Sequence, residues 1–266
     1  MSLSDLARAA TAVDGVEPLN EATRIALRED DEPRVLLERD AVAAAVAFSD
    51  APAELVVHPD HRRQGVGRAL LDELVDLGER RLWAHGDLPA AQALAAAAGF
   101  TPERTLLVLR LELGEHAPQE QAVEGLTLRT FRPEDTDAVV AVNGRAFAHH
   151  PEQGAMDRAD FERRAAEPWF DPAGLFVAED EQGKIVGFHW TKVEGDIGEV
   201  YVVGVDPTAH GRGLGTALTA HGLRHLHERG LRTVDLYVEG DNAAALTVYR
   251  RLGFVEHARD TLYALA

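Results

Sequence analysis

Along this chain the spacing of apolar residues switches between a period of two and one of about 3.6, and the switches come in the same order twice. The first series predicts a strand over 53–57, a Gly-containing loop, a helix over 67–79, a strand over 81–84 and a helix over 88–98. The second predicts a strand over 199–205, a similar loop, a helix over 213–229, a strand over 233–238 and a helix over 242–252. Each series closes on Gly-Phe, at Gly99-Phe100 and Gly253-Phe254, followed by further strand-like sequence. Ahead of the second series, 126–131 predicts a strand, 135–146 a helix and 161–166 a shorter helix. There, 175–179 and 185–193 predict a hairpin turning at Glu181-Gln182-Gly183-Lys184. The stretch 114–121 keeps neither period and predicts a linker.

The order recurs because the sequence itself recurs. Val56-Val57-His58-Pro59-Asp60-His61-Arg62-Arg63-Gln64-Gly65-Val66-Gly67 is echoed by Gly204-Val205-Asp206-Pro207-Thr208-Ala209-His210-Gly211-Arg212-Gly213-Leu214-Gly215, an offset of 148, and the Gly-Phe landmarks repeat at 154. Two copies of one α/β unit with a mixed sheet follow, a first domain over 1–113, a linker over 114–122 and a second domain over 123–266. The length of 266 residues agrees, since single domains cluster near roughly 100–150 residues.

Charge narrows the partners. With 45 acidic against 27 basic residues, the net charge of −18 is spread over both halves and opposes binding to nucleic acid or to anionic membranes. Charged residues break the apolar ones in the first turn, so no signal-peptide core is expected at the N-terminus. No segment approaches the roughly 20 apolar residues of a membrane span. Without cysteine there is neither a disulfide framework, nor a thiolate zinc site, nor a cysteine nucleophile, and a cytoplasmic monomer is expected. His149 and His150 lack the spacing of a metal-binding helix, so no metal is expected. Only Lys184 and Lys192 are lysine, a bias that hints at a GC-rich bacterial genome.

A strand running through a Gly-rich loop into a helix aims backbone N–H groups and the positive helix end at one spot, which suits phosphate. The same geometry also serves as a plain tight turn. What raises it above a turn is recurrence, in both copies, together with the later helix ending in Gly-Phe. This constellation resembles the GCN5-related N-acetyltransferase family, whose Arg/Gln-x-x-Gly-x-Gly/Ala loop holds the pyrophosphate of coenzyme A. The first copy matches with Arg62-x-x-Gly65-x-Gly67, whereas the second carries His210 where Arg or Gln is usual. The resemblance implies acetyl-CoA as co-substrate in both copies. In the first it would lie on Leu55, Val56, Val57, Arg63, Gln64, Gly65, Val66, Gly67 and Arg68. In the second it would lie on Val203, Gly204, Val205, His210, Gly211, Arg212, Gly213, Leu214, Gly215 and Thr216, with Asn242, Ala243, Ala244, Ala245, Leu246 and Thr247.

Acetyl transfer from a thioester to an amine needs a base for the ammonium proton, donors for the oxyanion and an acid for the leaving thiolate. Comparing the copies shows where these could be. Glu199 heads the second-copy strand where the first copy has Ala51. Tyr249 lies two helical turns beyond Asn242, where the first copy has Ala95 and Leu88. Each also has a bland reading: a solvent-facing carboxylate, a tyrosine packed on the sheet, and a helix N-cap for Asn242. The first copy is expected to be catalytically silent though able to bind acetyl-CoA, and N–H groups around Val203–Val205 to hold the oxyanion.

Glu199-Val200-Tyr201-Val202-Val203, Leu236-Tyr237-Val238-Glu239-Gly240-Asp241-Asn242, His150-Pro151-Glu152-Gln153-Gly154 and Phe188-His189-Trp190-Thr191-Lys192-Val193 are similar to a tandem-domain branch of that family. Its members acetylate the cysteinyl amine of cysteinyl-glucosaminyl-inositol. The resemblance implies that Glu21, Glu152, Lys192, Glu199 and Tyr237 contact that small polar acceptor, although a strand lysine facing solvent is the plainer reading of Lys192. Trp83, Trp169 and Trp190 read as core or pocket-wall residues. Two alternatives stay open, a tandem acetyltransferase for another amine such as a protein N-terminus or a drug, and a non-catalytic acetyl-CoA sensor.

Overall fold

Ser2 starts the first helix by a reciprocal cap: its hydroxyl accepts from the Asp5 N–H while the Asp5 carboxylate accepts from the Ser2 N–H. In this computed structural model, residues 2–115, 118–119, 121–149 and 153–266 are described. The first elements are α1 (Leu3–Asp14), α2 (Glu21–Arg28), β1 (Val35–Arg39) and β2 (Ala43–Ala47), all ahead of the region where a repeat is read. The repeat itself follows as β3 (Ala53–Val57), α3 (Val66–Asp76), β4 (Arg81–Ala84), α4 (Pro89–Ala97) and β5 (Thr101–Glu112). Next come β6 (Leu126–Thr130), α5 (Thr136–Ala146), α6 (Arg158–Ala165), β7 (Leu175–Asp180) and β8 (Ile185–Glu194). The second repeat is β9 (Ile197–Val205), α7 (Leu214–Glu228), β10 (Thr233–Glu239), α8 (Ala243–Arg251) and β11 (Val255–Ala264).

Contacts divide the chain into two units. One comprises residues 1–107, 239–241 and 258–266, the other residues 108–238 and 242–257, so the units differ from the sequence copies at the ends of β5, β10 and β11. In the first unit β1, β2 and β3 run antiparallel in sequence, β3 meets β4 in parallel, and β4 pairs antiparallel with 261–264 of β11. Leu3, Leu6, Ala7 and Ala10 of α1 cover one sheet face at Ala44, Val46 and Val56, and α3 covers the other with Leu71 and Leu74.

In the second unit β6, β7, β8 and β9 form an antiparallel run, and β10 joins β9 in parallel. β8 is buried at every position from Ile185 to Lys192 because both of its faces are covered, whereas β9 alternates buried with half-buried positions. Phe131, Val139, Val142 and Phe161 pack with Phe188, Trp190 and Val202 on one face, while Leu214 and Leu218 of α7 pack on Val186, Val203 and Val205 on the other.

Candidate active site

Asp206 follows β9 and organises the loop into α7. Its carboxylate accepts from the Thr208 hydroxyl (2.6 Å) and N–H (3.0 Å) and from Arg145 (2.7 Å), and these partners, Thr208 foremost, hold it down to about 2. Gly211 and Gly213 take φ of +78° and +80°, the left-handed region that the turn into α7 requires, and a Cβ at either would meet nothing within 4 Å. No side chain caps α7, so the N–H groups of its first turn and the positive end of a 15-residue helix face open space. That cradle suits a pyrophosphate.

Beside the cradle the sheet opens. β9 and β10 pair only from Ile197 with Thr233 to Val200 with Leu236. The Asp206 N–H bonds the Val186 carbonyl, so strand alternation turns the backbone groups of Val203 and Val205 toward the β10 side. The Val205 carbonyl is taken by His210 Nε2 at 3.1 Å. A register shift pairs Trp190 with Val202 but Thr191 with Val200, leaving Tyr201 as a bulge. The bulge inverts the alternation. Glu199, Tyr201 and Val202 therefore share the face of Lys192, while Val203 and Val205 lie against α7.

Glu199 is the third residue of β9, not its head, because Ile197 and Gly198 extend the strand and Gly198 fits under Leu226 of α7. Directly across from it, Lys192 is only 4% exposed, which overturns the solvent-facing reading. Its ammonium lies 2.8 Å from Glu194 and 3.9 Å from Glu199, with the rings of Trp169 and Tyr201 at 5.1 and 5.6 Å. Trp169 and Trp190 form the wall behind this ammonium, Trp190 being fully buried. Tyr237 of β10 is half exposed, two positions beyond Asp235, which pairs with Glu199 in the strand register. Sequence reasoning did not single out Glu194, Tyr201 or Asp235; period two on β8 and β9 placed the first two beside Lys192 and Glu199.

Asn242 caps α8, its side chain accepting from the Ala245 N–H at 3.0 Å, and Ala243, Ala244 and Ala245 form the first turn. Leu246 is buried and the Thr247 hydroxyl bonds back to the Ala243 carbonyl, so those two side chains serve the helix. Tyr249, two turns on, packs edge-on to Phe254, and burial alone pushes its phenol up to about 12. Arg212 donates to the Glu124 carbonyl.

The first copy repeats the cradle. Gly65 takes φ +83° ahead of an uncapped α3, and Gln64, Gly65 and Val66 line a hollow of ≈ 330 Å³ with Arg39 and Asp40. Arg63 occupies the left-handed region where the second copy has Gly211. Arg68 is committed to Asp72 and the Ala97 carbonyl, and the Val56 side chain to the core. Nothing acidic stands at Ala51, and Ala95 is buried. An unforeseen cluster lies nearby: His85 bonds Glu54 at 2.6 Å through Nε2 and Asp260 at 3.0 Å through Nδ1. Burial opposes its charge, but the two carboxylates overcome that and hold the imidazole up at about 10.

Of the expected acceptor contacts, Lys192, Glu199 and Tyr237 thus fall on one face of adjacent strands in the second unit, Glu21 opens α2 in the first unit, and Glu152 lies outside the described residues. Among the described residues no cluster of His, Asp or Glu could hold a metal ion, and no helix is long and apolar enough to cross a membrane.

Known proteins share both the sequence and the fold. The acetyltransferase (GNAT) family matches over residues 3–100 and 144–254. A mycothiol acetyltransferase of Thermomonospora curvata is 52% identical over 97% of this chain and 91% of its own length, and one of Clavibacter sepedonicus is 50% identical over 100% and 91%. Among solved structures, a GCN5-related N-acetyltransferase from Sphaerobacter thermophilus superposes with a TM-score of 0.70 at 24% identity, covering 98% of this chain and 90% of that one. A tandem GNAT protein from the clavulanic acid biosynthesis pathway gives 0.69 at 23%, covering 97% and 92%.

Proposed function

Because the chain belongs to the acetyltransferase (GNAT) family and, within it, to the mycothiol acetyltransferases, we propose that its second copy acetylates the cysteinyl amine of cysteinyl-glucosaminyl-inositol. The chain is an acetyl-CoA-dependent N-acetyltransferase of mycothiol biosynthesis. The observation that carries the residue-level reading is the Glu199 carboxylate beside Lys192, one strand position before β9 leaves β10. Bound acetyl-CoA supplies a thioester carbonyl open to attack.

Glu199 takes the ammonium proton, through water, and the freed amine forms the new N–C bond. The backbone N–H groups of Val203 and Val205, on the unpaired side of β9, stabilise the oxygen that gains charge. As the C–S bond breaks, Tyr249 donates its O–H to the departing sulfur and is reprotonated, through water, by the second proton that the nitrogen sheds on becoming an amide; a phenol at about 12 still carries its proton throughout the neutral range. Lys192 and Tyr237 give the acceptor's hydroxyls an ammonium and a phenol to bond with. The first copy holds acetyl-CoA without turning it over, in a soluble cytoplasmic monomer.

The test is acetyl transfer measured over cysteinyl-glucosaminyl-inositol, glucosaminyl-inositol and a peptide amine. Preference for the first supports the reading. Preference for the peptide would leave an N-acetyltransferase with a different acceptor.

A further inference from the structure

Among the described residues, the ammonium of Lys192 faces the carboxylates of Glu194 and Glu199. It stands at hydrogen-bond distance from Glu194, 2.8 Å, and beyond it from Glu199, 3.9 Å. Glu194 and Lys192 share one face of β8 at the period-two spacing, and Glu194 sits where β8 turns back into β9. Lys192 is 4% exposed, so a contact it makes is poorly screened, whereas the Glu194 side chain is 53% exposed and keeps water on its other edge. Trp169 and Tyr201 restrict the ammonium from two further sides.

We propose that Glu194 is a positioning residue for the base: by binding the Lys192 ammonium it keeps that ammonium off Glu199. A carboxylate in direct contact with a buried ammonium is a poor proton acceptor, because taking the proton dissolves the ion pair. Held one step away, Lys192 still neutralises part of the local negative charge without quenching the base. Among the described residues, the other charged and titratable groups around Glu199 include Tyr201 on its own strand, Asp235 and Tyr237 of β10, and Arg164 of α6 over the Tyr201 ring at 5.9 Å. Asp235 is itself neutralised by a two-pronged pair with Arg110, both bonds 2.7 Å, whereas Glu194 stands at hydrogen-bond distance from the Lys192 ammonium.

The inference rests on Glu199 as the base. The experiment is the pH profile of kcat/KM for the cysteinyl acceptor in wild type, Glu194→Gln, Glu194→Asp and Glu194→Gln in a Lys192→Met background. Glu194→Gln should move the acid limb about one unit lower, the low end of what a new opposite charge does to a carboxylate. Its plateau should fall roughly threefold as the base weakens. Glu194→Asp should restore most of both, and in the Lys192→Met background Glu194→Gln should leave the limb where it is. A limb that stays put in Glu194→Gln, or moves equally without Lys192, overturns the proposal. An acid limb unchanged in Glu199→Gln would instead overturn the base assignment beneath it.

Discussion

His210 donates from Nε2 to the carbonyl of Val205 at 3.1 Å, closing the end of β9 just before the Gly-rich loop into α7. At the matching place in the first copy Arg62 donates from Nε to the Val57 carbonyl at 3.2 Å, and its two Nη atoms go to Asp14. The departure from Arg or Gln in the second copy therefore preserves the bond that shapes the loop. Any side chain able to donate there should serve. His210→Gln and His210→Arg are expected to keep kcat and the KM for acetyl-CoA within about twofold. His210→Ala, losing a bond worth about 1 kcal/mol, should raise that KM roughly fivefold with little change in kcat. Steady-state kinetics at saturating acceptor checks this.

The two cradles should differ in consequence. Gly213→Asp sets a negative charge where the pyrophosphate is to bind and should abolish turnover, while Gly65→Asp, at the equivalent first-copy position, should keep the chemistry largely intact. Acetyl-transfer assays on folded variants, with calorimetry counting acetyl-CoA sites in the wild type, decide it. Loss of turnover in folded Gly65→Asp would contradict a silent first copy, and one site in the wild type would contradict two cradles.

Much of this was legible in the sequence for a physical reason. A Gly-rich loop needs left-handed backbone at fixed places, so it leaves a residue signature, and β9 and α7 carry strong periodicity. The first 52 residues left far less trace. β2 is Ala43-Ala44-Ala45-Val46-Ala47, fully buried yet poor in strand formers, and the β1–β2 turn puts Asp40 and Ala41, not glycine, in the left-handed region. The bulge at Tyr201 was equally hidden, because it depends on the pairing partner and not on the strand's own sequence. The His85 cluster joins residues 54, 85 and 260, a separation no local pattern reports.

As the proposed acid, Tyr249 should keep its proton far into the alkaline range. Burial raises its phenol to about 12, so the neutral donor form is lost only as pH climbs toward that value. The kcat profile should hence show no decline attributable to Tyr249 between pH 7 and roughly 10. Tyr249→Phe should lower kcat by about 10- to 100-fold with acetyl-CoA affinity unchanged. A wild-type basic limb near pH 8 that vanishes in Tyr249→Phe would contradict a phenol raised by burial.

His85 should matter for stability and not for chemistry. Its imidazole, at about 10 when folded, lies above the ordinary 6.5, so its stabilising contribution is complete below pH 6.5 and fades as pH rises toward 10. His85→Leu leaves Glu54 and Asp260 buried without their shared cation and should cost about 3–5 kcal/mol. Urea unfolding across that pH range should show the wild type approaching the variant as pH rises. A constant gap would contradict the ion cluster.

Glu199 as the base of an acetyl transfer carried out in the second copy is what every catalytic step above depends on. The most direct measurement is turnover of acetyl-CoA and cysteinyl-glucosaminyl-inositol by Glu199→Gln, alongside acetyl-CoA binding to the same protein. Turnover lowered by about 10²–10⁴ with binding unchanged is the predicted result. Near-wild-type turnover would contradict it.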